Sequence, residues 1–349
     1  MSRTIFVTGF PGFIAQNLAG RLAEGNDDRL VFLVQTEFES LAKTTLSSLG
    51  LADRASIVIG DITQPKLGTD DDTYVGLITE TTHVWHLAAI YDLAVPEAIA
   101  YRVNVVGTAN VLDFCEACQR FARLDYISTC YVSGLRTGLI MEDELDEGQG
   151  FKNHYESTKC RAEMEVSRRM DRLPVVIHRP GIVVGDSRTG RTAKFDGPYY
   201  LIRLLCRLPS WVPMVHVGAG NARPNFVPVD FLISAMVALA NNDEAIGNAV
   251  QLADPNPHPA RDIIDAVVSI LGRTRAIATV PPGLVDRLIK IGPVAELVQI
   301  PREALIYFNH DVIYDTTHAA RLLEGTGVEC PDLMSYLPIL VAYARDNPS

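Results

Sequence analysis

The chain has no apolar run long enough to cross a bilayer. The longest, Phe231 to Ala240, falls well short of the ~18 residues that suggest a span, so no transmembrane segment is expected. It also lacks a surplus of positive charge. Its 31 Lys and Arg against 42 Asp and Glu give a net charge of -11, which argues against nucleic acid or an anionic membrane surface as the main partner. A local basic pocket for phosphates stays open. There is no internal repeat and no low-complexity tract. Six cysteines are scattered, and Cys115 and Cys118 form one CxxC inside a helical pattern, with no second pair to complete a metal site. They read as two small helix side chains, and nothing marks Cys130 as a nucleophile. The acidic run from Glu142 to Glu147 has no histidine and no ordered ligand spacing, so a solvated loop is expected there and no metal. The start Met1 to Val7 enters a strand at once, leaving no room for a signal peptide, and a cytoplasmic location is the expectation.

What is present is ample core material: 48% of the 349 residues are hydrophobic, enough for one or two domains. Short apolar runs recur at residues 3–8, 30–34, 56–60, 83–87, 124–128 and 174–178. Helical patterns fall at about 13–24, 39–49 and 96–120, and again around Tyr155. Leu30-Val31-Phe32-Leu33-Val34 is apolar throughout, as suits a strand buried on both faces. This alternation predicts an α/β fold built on a doubly wound parallel sheet with right-handed crossovers. After about Gly185 the segments become irregular and rich in Pro and Gly, while 225–230 and 249–252 could return to the sheet. The expected division is therefore interleaved. Residues 1–185 and 225–253 form a Rossmann-like dinucleotide domain, and 186–224 with 254–349 form a smaller, carboxyl-terminal substrate region.

Thr8-Gly9-Phe10-Pro11-Gly12-Phe13-Ile14-Ala15 joins the first strand to the first helix. Gly9 and Gly12 let backbone approach a pyrophosphate and present amides at a helix start, while Ala15 replaces the usual third glycine. Gly9, Phe10, Pro11, Gly12, Phe13 and Ile14 are the expected cofactor-binding loop. The second strand ends near Val34, where an acidic residue would grip the ribose of NAD. Gln35 and Thr36 stand there instead, so NADP(H) is favoured over NAD(H), although Glu37 and Glu39 follow closely. Asp61, with Ile62 beside it, is placed either to accept from an adenine amino group or to cap a turn.

Tyr155-Glu156-Ser157-Thr158-Lys159 carries a tyrosine and a lysine four positions apart, on one helix face. The lysine charge there can lower the phenol's pKa from its ordinary ~10, and a drop of ~3 units needs ~4 kcal/mol of differential stabilisation. Thr129 lies upstream, after the fifth strand.

With these motifs, His86-Leu87-Ala88-Ala89, Asn104-Val105-Val106-Gly107-Thr108 and Arg179-Pro180-Gly181 appear in order. Together they make residues 4–255 resemble the extended short-chain dehydrogenase/reductase superfamily. Asp196 to Tyr200, Asn225 to Asp230 and the tail pattern Ile313-Tyr314-Asp315, Cys330-Pro331 and Tyr336 look like its fatty acyl-CoA reductase and thioester reductase branch. The resemblance implies that Tyr155 is the acid/base, that Lys159 binds the ribose and that Thr129 polarises the carbonyl. It implies that Leu87, Ala88 and Ala89 line the cofactor channel and that Asn104 tethers the site's backbone, a plain helical Asn being the competing reading. Pro180, Gly181 and Val183 would meet the nicotinamide. His86 is expected to pack and not to catalyse, and His154 has no role. A homodimer through the helices near 96–120 and 153–170 is a further implication.

Cys130 and Tyr131 stand where the related sugar-nucleotide dehydratases carry Asp and Glu, so that elimination chemistry lacks its acid and base. Arg188, Arg191, Lys194, Arg203, Arg207 and Arg223 could hold the phosphates of either a nucleotide sugar or CoA. Amphipathic segments at 201–205, 284–291 and 294–300 suit a lid over an apolar substrate, or ordinary core packing. The leading expectation is hydride transfer to or from a carbonyl or alcohol of an apolar small molecule: a fatty acyl thioester, an aldehyde or a steroid-like compound. An NAD-dependent sugar-nucleotide epimerase and a non-catalytic dinucleotide-binding protein are the alternatives.

Overall fold

The computed structural model describes residues 3–25, 27–193, 195, 197–208, 215–217, 220–273, 278–280, 307 and 310–347. Its strands are β1 (Thr4–Thr8), β2 (Arg29–Val34), β3 (Ala55–Ile59), β4 (His83–His86), β5 (Arg123–Ile127), β6 (Gly138–Ile140), β7 (Val175–Pro180), β8 (Ile182–Val184), β9 (Val215–Val217), β10 (Phe226–Pro228), β11 (Asn248–Leu252), β12 (Ala278–Val280) and β13 (Val312–Tyr314). Seven of these form one parallel sheet in the order β11-β7-β5-β4-β1-β2-β3. The order reverses between β1 and β4, which opens the crevice at their carboxyl ends where such sheets bind ligands.

The helices are α1 (Phe13–Leu22), α2 (Glu39–Ser48), α3 (Asp71–Glu80), α4 (Glu97–Ala100), α5 (Gly107–Ala117), α6 (His154–Ser167), α7 (Pro198–Arg207), α8 (Val229–Ala240), α9 (Ala260–Ile270), α10 (Thr317–Leu323) and α11 (Leu333–Asp346). A π-helical stretch, Tyr101–Val106, joins α4 to α5. Alternate residues of each central strand feed opposite cores. Ile5, Val7 and Phe32 pack with α1, α2, α8 and α10, whereas Phe6, Val31 and Val84 pack with α3, α5 and α6. Burial on both faces is why these strands are apolar throughout.

Two expectations need correction. Residues 226–228 do not rejoin the main sheet; β10 pairs with β8 in a separate parallel ribbon, and β13 pairs with β6 in another. The span between β3 and β4 also holds a helix, α3, that the apolar runs do not mark. Its sign is Asp70, which caps the first turn by accepting from Thr73 N at 2.8 Å, with Asp71 and Asp72 behind it.

Beyond the carboxyl end of β7 the chain builds a third apolar cluster from α7, α9 and α11, centred on Tyr199, Ile202, Val267, Tyr336 and Leu340. Lys194, Asp196 and the expected amphipathic segments at 284–291 and 294–300 lie outside the described residues. Among the described residues no helix is long and apolar enough to cross a membrane, and no group of three or more His, Cys, Asp or Glu side chains could hold a metal.

Candidate active site

The β1–α1 loop has the geometry of a phosphate cradle. Gly9 has φ +87°, and a Cβ there would sit 2.7 Å from Ala88 N and 2.8 Å from Leu87 C. Only glycine lets the loop lie this close to the end of β4. Gly12 occupies the N-cap of α1 with no side-chain cap, and no acidic residue occupies the first turn. The amides of that turn have no intrahelical acceptor and are left for an anion. The residues present therefore fit a dinucleotide diphosphate.

Gln35 caps the short 3-10 turn after β2 and is exposed, as is Glu37. Glu39 is bound to Lys43 at 2.6 Å, one turn on in α2. Asp61 Oδ1 accepts from Thr63 N at 2.8 Å, so the turn-forming role is present. Ile62 is buried against Gly107, where a Cβ would meet its Cδ1 at 2.6 Å. Lys66 and Leu67 take left-handed φ values of 54° and 57°, and the Leu67 carbonyl holds Asp61 N at 2.7 Å.

On the other side of the crevice, Thr129 follows β5 and caps the turn Cys130–Ser133, accepting from Tyr131 N at 3.2 Å. Asn153 starts α6 by accepting from Glu156 N at 3.0 Å, which puts Tyr155 and Lys159 on consecutive turns. The Thr129 hydroxyl donates to the Pro180 carbonyl at 3.5 Å and stands next to the Tyr155 phenol. Burial pushes that phenol above its ordinary value, while Thr129 pulls it back. Lys159 is 3% exposed and donates to the Ile127 carbonyl at 2.7 Å and to Tyr126 Oη at 2.9 Å. Burial pushes its ammonium down to about 7 against the opposing pull of Glu163. Within the chain itself, burial thus outweighs the expected depression of the phenol by Lys159.

Pro180 and Gly181 are buried at the end of β7, and Val183 is half-buried in β8. A Cβ on Gly181 would lie 2.7 Å from Asn225 Oδ1, and the Asn225 carbonyl accepts from Ile182 N at 2.8 Å. Asn104, in the π-helical stretch, accepts from Ile90 N at 2.9 Å and donates to Thr158 Oγ1 at 3.0 Å. It joins the loop after β4 to α6. Leu87 and Ala88 are half-buried and Ala89 is exposed. His86 is buried with its ring nitrogens bonded to Thr8 and Thr108, and burial brings it down to about 3, so it stays neutral. His154 is exposed. Cys130 is buried against the Arg179 carbonyl, and burial raises its thiol, which makes it inert. Cys115 and Cys118 are free, buried thiols.

Several residues of the site escape a reading by motif. Glu163, one turn beyond Lys159, accepts from Arg179 Nε at 2.8 Å and from Ser128 Oγ, all three buried. Its spacing of four from Lys159 was the available signal. Lys152 and Glu156 form a buried pair at 3.2 Å, with the ammonium over the rings of Tyr131 and Tyr307 at 5.7 and 5.4 Å. Tyr307 donates to Glu156 at 2.8 Å. Glu142 is not on a solvated loop. It is buried and accepts from His318 N at 2.6 Å and Ala319 N at 3.2 Å at the start of α10. Of the expected substrate cations, Arg188, Arg191, Arg207 and Arg223 are exposed, and Arg203 lies 3.7 Å over the Phe195 ring.

Comparison with known proteins fits this geometry. The profile of the male sterility protein family matches residues 7–236, more than half of the chain. The terminal R domain from the myxalamid PKS-NRPS biosynthetic pathway superposes with a TM-score of 0.85 at 27% identity, over 98% of this chain and 90% of that one. Aldehyde reductase lnbA of Aspergillus flavus is 28% identical over 83% of this chain and 30% of its own length. UDP-glucuronic acid 4-epimerase from Bacillus cereus, solved with NAD, has a TM-score of 0.71 at 21% identity over 98% of this chain and 99% of its own, a likeness of fold. The chain spans about a third or less of the length of the curated relatives it matches most strongly. Nucleotide loop, paired hydroxyls, buried lysine and profile agree, and the chain belongs to the male sterility protein family, in the thioester reductase-like branch of the extended short-chain dehydrogenase/reductases, a class of NAD(P)-dependent reductases.

Proposed function

We propose that this protein reduces the carbonyl of an apolar acyl thioester or aldehyde, with NADP(H) favoured over NAD(H). The observation that carries the reading is the neighbouring pair of hydroxyls, Thr129 and Tyr155, with buried Lys159 one turn on, beside the crevice at the sheet's switch point. A reduced dinucleotide bound there supplies the hydride. Thr129 and Tyr155 donate to the carbonyl oxygen as it gains charge, and Tyr155 gives up its proton. A phenol held above its ordinary pKa is fully protonated at neutral pH, which suits an acid in the reductive direction. Lys159 commits two of its three N–H groups to Tyr126 and Ile127, leaving one to face ribose and phenol.

Gly9, Phe10, Pro11, Gly12, Phe13 and Ile14 would hold the diphosphate, Gln35 the adenosine ribose, and Asp61 and Ile62 the adenine. Leu87, Ala88, Ala89, Asn104, Pro180, Gly181 and Val183 would line the nicotinamide end. The absence of a carboxylate at Gln35 supports the lean to NADP(H). Residues 186–224 and 254–349 would form the substrate region. Within it the apolar cluster of α7, α9 and α11 supports an apolar ligand, and α10 returns to the main core.

The test is absorbance at the reduced-nicotinamide band with acyl-CoAs, aldehydes, steroids and UDP-sugars, using NADPH and NADH in parallel. The reading expects stoichiometric NADPH loss with a carbonyl compound. Isomerised UDP-sugar without net cofactor consumption would establish the epimerase instead. Tyr155→Phe should cut kcat by ~10²–10⁴ with NADPH affinity retained; unchanged turnover would refute its role.

A further inference from the structure

The buried groups behind Lys159 include a hydrogen-bonded chain whose direction can be assigned. Thr108 Oγ1 donates to the Asn104 carbonyl at 2.6 Å. Its oxygen must then accept from His86 Nε2 at 3.0 Å, which fixes the ring proton on Nε2. His86 Nδ1 in turn accepts from Thr8 Oγ1 at 2.7 Å, and Thr8 Oγ1 accepts from Ala88 N at 3.2 Å. The Tyr126 ring packs beside the His86 ring, with centroids 5.6 Å apart. The Tyr126 oxygen accepts from Lys159 Nζ at 2.9 Å, while the ammonium sits 4.4 Å from the ring centroid.

We infer that Tyr126 is a positioning residue: its hydroxyl, on a ring packed beside His86, holds Lys159 so that the third N–H of the ammonium faces the reacting groups. This rests on the role proposed above for Lys159, but the interaction itself is measurable without turnover. A hydroxyl that had no such task would point at any acceptor. This one sits on a ring packed against His86, which is itself fixed between Thr8, next to the nucleotide loop, and Thr108. Thr8, His86, Thr108 and Tyr126 are all buried, so no solvent competes for these bonds.

The groups facing Lys159 are few. Tyr126 and the Ile127 carbonyl come from β5, Glu163 and Tyr155 lie one turn either side on α6, and neutral His86 comes from β4. Tyr126→Phe removes one acceptor and keeps the ring over which the ammonium sits. Lysine titration by NMR on the labelled full chain, without cofactor, should show Lys159 losing its proton about one pH unit lower in Tyr126→Phe than in wild type. Where wild type turns over, the alkaline limb of kcat should move down with it. Thr108→Val, which takes the acceptor from His86 Nε2 and loosens the ring packed beside Tyr126, should shift the titration in the same direction by a smaller amount, and it serves as the test if the first variant does not fold. An unmoved Lys159 titration in a folded variant overturns the inference, whatever the substrate. A wild type with no carbonyl reduction but a shifted titration would sustain the positioning and refute the proposed reaction.

Discussion

Replacing Gly9 with alanine probes the nucleotide loop through backbone geometry alone. A Cβ at this position lies 2.7 Å from Ala88 N, and an ordinary contact begins at 3.4 Å. The obstacle is main chain at the end of β4, which is paired to β1 and β5 and cannot rotate away. The loop must therefore retreat. The left-handed φ of +87° adds about 1 kcal/mol for a residue with a Cβ, and relieving the contact adds a similar amount, for a total of ~2 kcal/mol. That corresponds to a melting temperature lower by about 3 °C and, because the retreating backbone is the proposed diphosphate site, an NADPH Kd at least ~10-fold weaker. Gly20→Ala is the control. It lies on α1, the helix that follows the loop, with nothing within 4 Å of its Cβ, so it should stabilise by ~0.5 kcal/mol and leave Kd alone. Calorimetric titration and thermal melting of both variants decide the matter. A Gly9→Ala protein that melts with wild type and binds NADPH within twofold of it would refute the cradle.

The pH profile follows from Lys159. Its ammonium, held at about 7 by burial, is the charged form below that pH and is lost above it, while Tyr155 stays protonated throughout. In the reductive direction kcat/KM should be flat on the acid side and fall roughly tenfold per unit on the alkaline side; a profile level from pH 6 to 9 would sink this assignment. Glu163→Gln leaves Arg179 buried opposite a neutral amide and should lower the urea-unfolding free energy by about 3 kcal/mol, with an unchanged midpoint as the contrary result.

The parts of this fold that could be read from the residues are those whose cause is local. An apolar run between turn residues forms a strand because both faces are covered, and Gly9 and Gly12 announce their loop because few other residues tolerate its backbone. Tyr155 and Lys159 are legible through helical spacing. The remainder depends on partners far away in the chain. Tyr126 looks like one more apolar strand position until α6 brings Lys159 across it, 33 residues later. Glu142 resembles the acids that follow it, and it is the backbone amides of 251, 318 and 319 that distinguish it. The short strands β6, β8, β10 and β13 carry three residues each, too few for a period to show, and each exists because its partner is presented to it. Helix α3 is the exception: its acidic start was a local signal that apolar runs passed over.

Glu142 has a practical consequence for engineering. It lies in the stretch just after the turn that Thr129 caps, yet its carboxylate closes the front of a helix that the chain reaches 175 residues later. Anyone grafting a foreign tail onto this protein to alter what it accepts would sever that clasp and bare a buried anion. The graft should therefore carry residues 138–142 from the same donor as the tail, making the seam a matched set of two segments instead of a single cut.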